Sequence, residues 1–240
     1  MSHRSTIRRA IRRLAQAVRR GLATPRPVRL GAEDLPEEYW IKRGAEVIGR
    51  ATTDALLNSR QADTYLAIAD AVRGYPRILD LGCNVAALGR IAYTTGYDGS
   101  YTGVDSNPYA ISEADRELQA LGRACDVRTG NIRDLPFPDL SFSCVVMKDV
   151  LEHMEGFEAL LAEACRVTDE MLVVANFIPW TEGDPIIRRE PDGFFHNLYR
   201  RADVYASART HGFGVHRVIS ALETDARANE IVLFRRDGRG

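Results

Sequence analysis

LDLGCNVAALG, residues 79–89, runs from an apolar strand end through a glycine turn into a helix start. In an α/β sheet this is the place where a nucleotide-like ligand is gripped, because the backbone approaches closely and helix N–H groups point outward there. A dinucleotide loop carries G-x-G-x-x-G at this turn to cradle a pyrophosphate. Here the turn reads G-C-N-V-A, with Gly82 as its one glycine. A phosphate cradle is therefore not expected, and a nicotinamide oxidoreductase is disfavoured.

Outward from this loop, strands and helices alternate. RILDL (77–81), SYTGVD (100–105), ACDVRTG (124–130), FSCVVMK (142–148), EMLVVANF (170–177) and stretches near 214–221 and 230–235 read as seven strands. Between them, residues 86–95, 108–121, 150–167 and about 201–211 read as helices, and another precedes the first strand at 59–72. Pro108 in a first turn, Asn107 or Ser106 as cap, and Gly96, Gly122 and Gly212 just past helix ends supply the punctuation. The fold class expected is α/β: a doubly wound, mostly parallel seven-stranded sheet with N-terminal helices. Ligands of such sheets bind beyond the carboxyl ends of the strands, where strand order reverses.

Those ends carry Asp80-Leu81-Gly82, Asp105-Ser106, Gly130-Asn131-Ile132 and Lys148-Asp149. The Asp105 carboxylate can accept two hydrogen bonds from a ribose diol, or serve as a capping residue before Ser106-Asn107-Pro108. Asn131 offers both an acceptor and a donor to an adenine edge, or is a turn residue. Asp80 either holds the glycine loop through backbone N–H groups or faces a ligand ammonium through water.

LDLGCNVAALG, TGVDSNP, GNIRDLPFPDLSFSCVVMKDVLEHM and FHNLYRRADVYASARTHGF together make the chain resemble the class I S-adenosylmethionine-dependent methyltransferases, in the group that includes quinone-biosynthesis and small-molecule methyltransferases. The resemblance covers about residues 60–220. It implies that Asp80, Gly82, Cys83 and Asn84 surround the methionyl end of S-adenosylmethionine, that Asp105 with Ser106 binds its ribose, and that Asn131 with Ile132 binds its adenine. The family usually has Asp at position 131. Asn84 and Ala86 stand where it has the second and third glycines. Asn enters left-handed backbone conformations at modest cost, and Ala still permits close helix–strand packing, so a working variant of the loop is expected. The alternative is a pseudo-methyltransferase that keeps the fold and acts as a partner protein.

Methyl transfer from a sulfonium needs alignment and exclusion of water, and no metal. A base helps when the acceptor carries a proton. His153, beside Glu152 in DVLEHM, is the candidate base; a structural histidine is the other reading. Asp149, Glu152 and His153 are similar to the E-x-x-E-H cluster of quinone O-methyltransferases, but with Asp first and no further ligand evident, no metal is expected. Lys148 is placed to meet the cofactor carboxylate or an acidic substrate, or is a surface lysine. Arg43, near Tyr39 and Trp40, is placed by the resemblance to pair with the methionyl carboxylate, or simply packs and is solvated. Phe194, Phe195, His196, Asn197 and Tyr199 read as a wall for a flat or apolar acceptor, or as a satellite core.

The 240 residues suffice for one such domain plus an extension. Residues 1–29 hold nine arginines and no acid, leaving 23 bases against 33 acids on the remainder, a balance of −10. Ile7, Ile11, Leu14, Val18 and Leu22 form one helical stripe there. The expected organisation is a basic amphipathic arm (1–29), a helical cap (30–75) and a cofactor-binding domain (76–240) with a substrate insertion at 178–199. The arm reads as a solvated extension, as a helix for an anionic membrane surface, or as a transit peptide or nucleic-acid contact. The acidic body disfavours a nucleic-acid substrate. Four scattered cysteines and the lack of a long apolar run fit a cytoplasmic protein, peripheral to a membrane if the arm binds one.

Overall fold

A computed structural model describes residues 59–123, 125–191, 193, 195–224 and 227–238. The arm, most of the cap, and with them Tyr39, Trp40 and Arg43, lie outside the described residues, as does Phe194. In chain order the elements are α1 (Ser59–Val72), β1 (Arg77–Leu81), α2 (Ala87–Thr94), β2 (Ser100–Asp105), α3 (Pro108–Ala120), β3 (Asp126–Thr129), β4 (Phe142–Lys148), a 3₁₀ turn (Leu151–His153), α4 (Glu158–Val167), β5 (Thr168–Asn176), α5 (Arg201–Thr210), β6 (Phe213–Thr224) and β7 (Arg227–Arg236).

The strands form one sheet in the order β3-β2-β1-β4-β5-β7-β6. Strands β1 to β5 pair in parallel, each neighbour reached through a crossover, and β7 runs antiparallel to both β5 and β6. The last pair needs no crossover helix, because its strands are antiparallel. The order reverses between β1 and β4, so a crevice opens at their carboxyl ends. This is the mostly parallel, doubly wound architecture expected from the alternation of patterns.

Side-chain alternation divides the core into two layers. Ile78, Cys144 and Val146 pack with Ile68, Val72, Leu88 and Ile91 from α1 and α2. Leu79, Leu81, Val145 and Met147 pack with Leu160, Leu161 and Ala164 of α4. The alternation puts Asp80 and Lys148 on the α1 face at the strand ends.

Two local expectations change. The helix expected over 150–167 is a 3₁₀ turn followed by α4. His153 N–H and Met154 N–H close three-residue rings to Val150 (3.0 Å) and Leu151 (3.1 Å), and the α-helix starts only after Gly156. The insertion at 178–199 is a hairpin-like flap. Its Ile186–Leu198 and Arg189–Phe195 bridges are antiparallel, and Asn197 N–H donates to the Glu152 carbonyl (2.9 Å), seating it on the 3₁₀ turn.

Candidate active site

The glycine loop crosses the switch point. Gly82 has φ +70, and a Cβ there would sit 2.7 Å from Val150 Cγ2, so conformation and space both demand glycine. Gly82 N–H and Cys83 N–H donate to the Val104 carbonyl at 2.8 and 3.2 Å, binding the loop to β2. The Cys83 side chain turns inward against Gly103, where a Cβ would meet Sγ at 2.8 Å. Cys83 therefore offers the cleft only backbone.

Asn84 has φ 49 and Ala86 has φ 52. Asn84 takes up the left-handed conformation as expected. Ala86 takes it up too, at the N-cap of α2, the position where the glycine pattern has its third glycine. The Asn84 side-chain oxygen is buried without a hydrogen-bond partner. Buried polar atoms in folded proteins are normally hydrogen-bonded, so this oxygen stands out on the loop.

Asp105 Oδ2 accepts from Asn84 N–H (2.8 Å) and Oδ1 from Asn107 N–H (2.9 Å). The two oxygens are thus already engaged by backbone, and each keeps a further lone pair able to accept. Burial raises the Asp105 pKa, while these two N–H groups hold it down. Asn107, not Ser106, caps α3, accepting from Tyr109 N–H (3.0 Å) and Ala110 N–H (3.3 Å). Ser106 lies between them at the rim. Asn131 Oδ1 accepts from Arg133 N–H at 2.9 Å in a turn. Ile132 packs at the edge of the α4-side core.

Asp80 is 4% exposed and accepts from Tyr101 Oη at 2.6 Å. Burial pushes its pKa up to about 7, with the Tyr101 hydrogen bond opposing and the charge of Asp105 adding. Its hydrogen bond runs to the hydroxyl of a β2 tyrosine; no backbone N–H of the loop is tied by it. Lys148 is not a surface lysine. Its side chain is 6% exposed, ion-paired with Asp149, and lies 4.6 Å from the centre of the Tyr65 ring. Asp149 itself has φ 57. Sequence reasoning missed Tyr65 and Tyr101. Both sit on the face of their element that reads as core, and only the packing of α1 over the strand ends brings them to the site.

Beyond β4 lies a second group. Glu152 is 1% exposed, and its Oε1 accepts from Phe177 N–H at 3.3 Å. Burial and Asp149 push its carboxyl well up, towards the neutral form. His153 is buried, and its Nδ1–H donates to the Phe195 carbonyl at 2.9 Å. Burial lowers its pKa to about 4. The flap residues divide. Phe195, Asn197 and Tyr199 are buried, with Tyr199 Oη and Asn197 Nδ2 both donating to the Met154 carbonyl at 2.5 Å, so these are packing residues. The His196 side chain keeps 40% exposure. The rings of His153 and His196 are 5.6 Å apart, and each lies beside Phe177.

Comparison with known proteins follows the same lines. A family model for a methyltransferase domain matches residues 79–170. An uncharacterized methyltransferase of Schizosaccharomyces pombe is 30% identical over 142 residues, 48% of this chain and 49% of that protein. A demethylmenaquinone methyltransferase of Tropheryma whipplei is 27% identical over 183 residues, 73% of this chain and 60% of that one. The crystal structure of magnesium protoporphyrin IX methyltransferase from Synechocystis, with bound S-adenosylhomocysteine, aligns with a TM-score of 0.64 at 18% identity, covering 84% of this chain and 98% of that one. The chain spans less than half the length of several curated relatives it matches, from 28% to 49%. Residues 79–170 are thus similar to the methyltransferase-domain family, and the seven-stranded sheet shares the fold of the magnesium protoporphyrin IX methyltransferase structure.

Proposed function

We propose that this protein transfers a methyl group from S-adenosylmethionine to a small-molecule acceptor. The observation that carries the reading is the Asp105 carboxylate at the end of β2, bonded to Asn84 N–H beside the buried, unpartnered Asn84 oxygen. When bound, the cofactor supplies a methyl group already activated by the sulfonium, so the protein has to align an acceptor and exclude water. Gly82, Cys83 and Asn84 would hold its methionyl end with Asp80 facing the ammonium. Asp105 and Ser106 would hold the ribose, and Asn131 and Ile132 the adenine. Lys148 would add positive charge near the methionyl carboxylate, as would Arg43, which lies outside the described residues. The relatives named for demethylmenaquinone and magnesium protoporphyrin IX support a flat, largely apolar acceptor.

The test is calorimetric titration with S-adenosylmethionine and S-adenosylhomocysteine, with Asp105→Ala as control. Micromolar binding that the variant loses while it still unfolds cooperatively supports the reading. A well-folded wild-type protein that binds neither compound defeats it, and the non-catalytic partner reading takes its place.

The arm at 1–29 extends the proposal. Nine arginines around one apolar stripe suit an anionic membrane surface, which would place the enzyme beside apolar acceptors.

A further inference from the structure

The reaction proposed above needs a proton acceptor whenever the nucleophile is a hydroxyl. Two histidines stand at the carboxyl ends of β4 and β5, and their surroundings differ. His153 is 8% exposed, and its Nδ1–H is committed to the Phe195 carbonyl. That carbonyl belongs to the residue just before His196. The bond therefore fixes the flap strand from which the second imidazole projects. His196 N–H also donates to the Arg188 carbonyl at 2.9 Å, which pins its backbone from the other side of the flap. The His196 ring is packed but open: 40% exposed, tilted against His153 at 5.6 Å and edge-on to Phe177 at 6.2 Å. Glu190 Oε1 lies 3.8 Å from its Nδ1, and Arg188 bonds the same carboxylate at 3.0 Å.

We infer that His196 is the proton acceptor on the acceptor side of the site, that His153 is a positioning residue for it, and that the acceptor is a hydroxyl on a flat ring lying along Phe177. The inference rests on the methyl-transfer reading. In the step, the acceptor oxygen forms a bond to the methyl carbon and the carbon–sulfur bond breaks, its electron pair remaining on sulfur. The hydroxyl proton passes to the His196 imidazole and then to water. Charge balances: one sulfonium is lost and one imidazolium is formed.

Proton removal can be read without turnover. The probe is 4-nitrocatechol, whose visible absorption changes when it ionises, added to the full chain saturated with S-adenosylhomocysteine at a pH where the free probe is neutral. The wild type is expected to show the ionised spectrum on binding, His153→Gln to show it only in part, and His196→Gln to bind the probe but leave it neutral. His196→Ala should regain the ionised spectrum with added imidazole. With labelled S-adenosylmethionine, His196→Gln should lower kcat about 100-fold with the cofactor KM unchanged. The assignment is overturned if His196→Gln still ionises the probe, if His153→Gln abolishes ionisation as fully, or if the bound probe stays neutral on the wild type. Failure of the probe to bind while S-adenosylhomocysteine binds overturns the hydroxyl acceptor. Failure of S-adenosylhomocysteine itself to bind defeats the methyl-transfer reading instead.

Discussion

Ala86 holds a left-handed conformation that costs a non-glycine residue about 1–2 kcal/mol, and glycine would give back roughly 0.5–1 kcal/mol of that in chain entropy. Ala86→Gly should therefore stabilise the fold by about 1 kcal/mol; urea unfolding reads this, and an unchanged or lower midpoint would contradict the conformation. Asp80 carries opposing demands. Its carboxyl is raised from 3.8 to about 7 in the folded chain, so the folded state holds a proton there that the unfolded chain releases in the ordinary carboxylate range. The resulting stability is fully present below about pH 4 and lost as pH rises through about 7. A ligand ammonium asks for the opposite, the ionised carboxylate. S-adenosylhomocysteine should bind about tenfold more weakly at pH 6 than at pH 8, and Asp80→Asn should flatten that profile. A flat wild-type profile would remove Asp80 from the ammonium site. At this scale the sequence was legible wherever chemistry follows from residue type at a strand end, as with Asp105 and Gly82. It was not legible where packing decides: Lys148 reads equally as a surface lysine until Tyr65 is laid over it.

Among the elements, the loop between β3 and β4 needs outside support, because it bears Asn131 and Ile132 but little regular structure. Arg166 of α4 provides it, donating to the Phe137 carbonyl (2.8 Å), the Leu135 carbonyl (3.2 Å) and Asp139 (2.8 Å). Glu163 completes the clip by accepting from Leu135 N–H at 2.7 Å. Arg166 is partly exposed, so its ion pairs are screened and the carbonyl bonds carry most of the effect. Arg166→Leu should weaken S-adenosylhomocysteine binding by about 1 kcal/mol, roughly fivefold in Kd, through an element that does not touch the cleft; calorimetry on the folded variant checks it, and unchanged affinity would free the loop from α4. The strands and most helices were readable from alternation, caps and glycine stops. The break between the 3₁₀ turn and α4 was not, since the apolar pattern of DVLEHM continues smoothly through it. The decision is made by Asp149, which leaves β4 with φ 57 and redirects the chain.

For the whole molecule, the division of charge is the feature to test. A body with a balance of −10 carries an arm with nine arginines. Removal of residues 1–29 should abolish sedimentation with anionic vesicles at low salt and leave cofactor binding unaltered. Equal vesicle binding with and without the arm would end the membrane proposal. Among the described residues no helix is long and apolar enough to cross a membrane.

One buried contact reaches furthest along the chain. Asn229 Nδ2 of β7 donates to Thr64 Oγ1 of α1 at 2.9 Å, across 165 residues. The same helix lays Tyr65 over Lys148 at the strand ends. During synthesis this tie between α1 and the sheet forms only once β7 has emerged. The glycine loop, Asp105 and the clip at Arg166 are all translated earlier. A ribosome-bound chain lacking its final strand should carry those residues and still lack this tie.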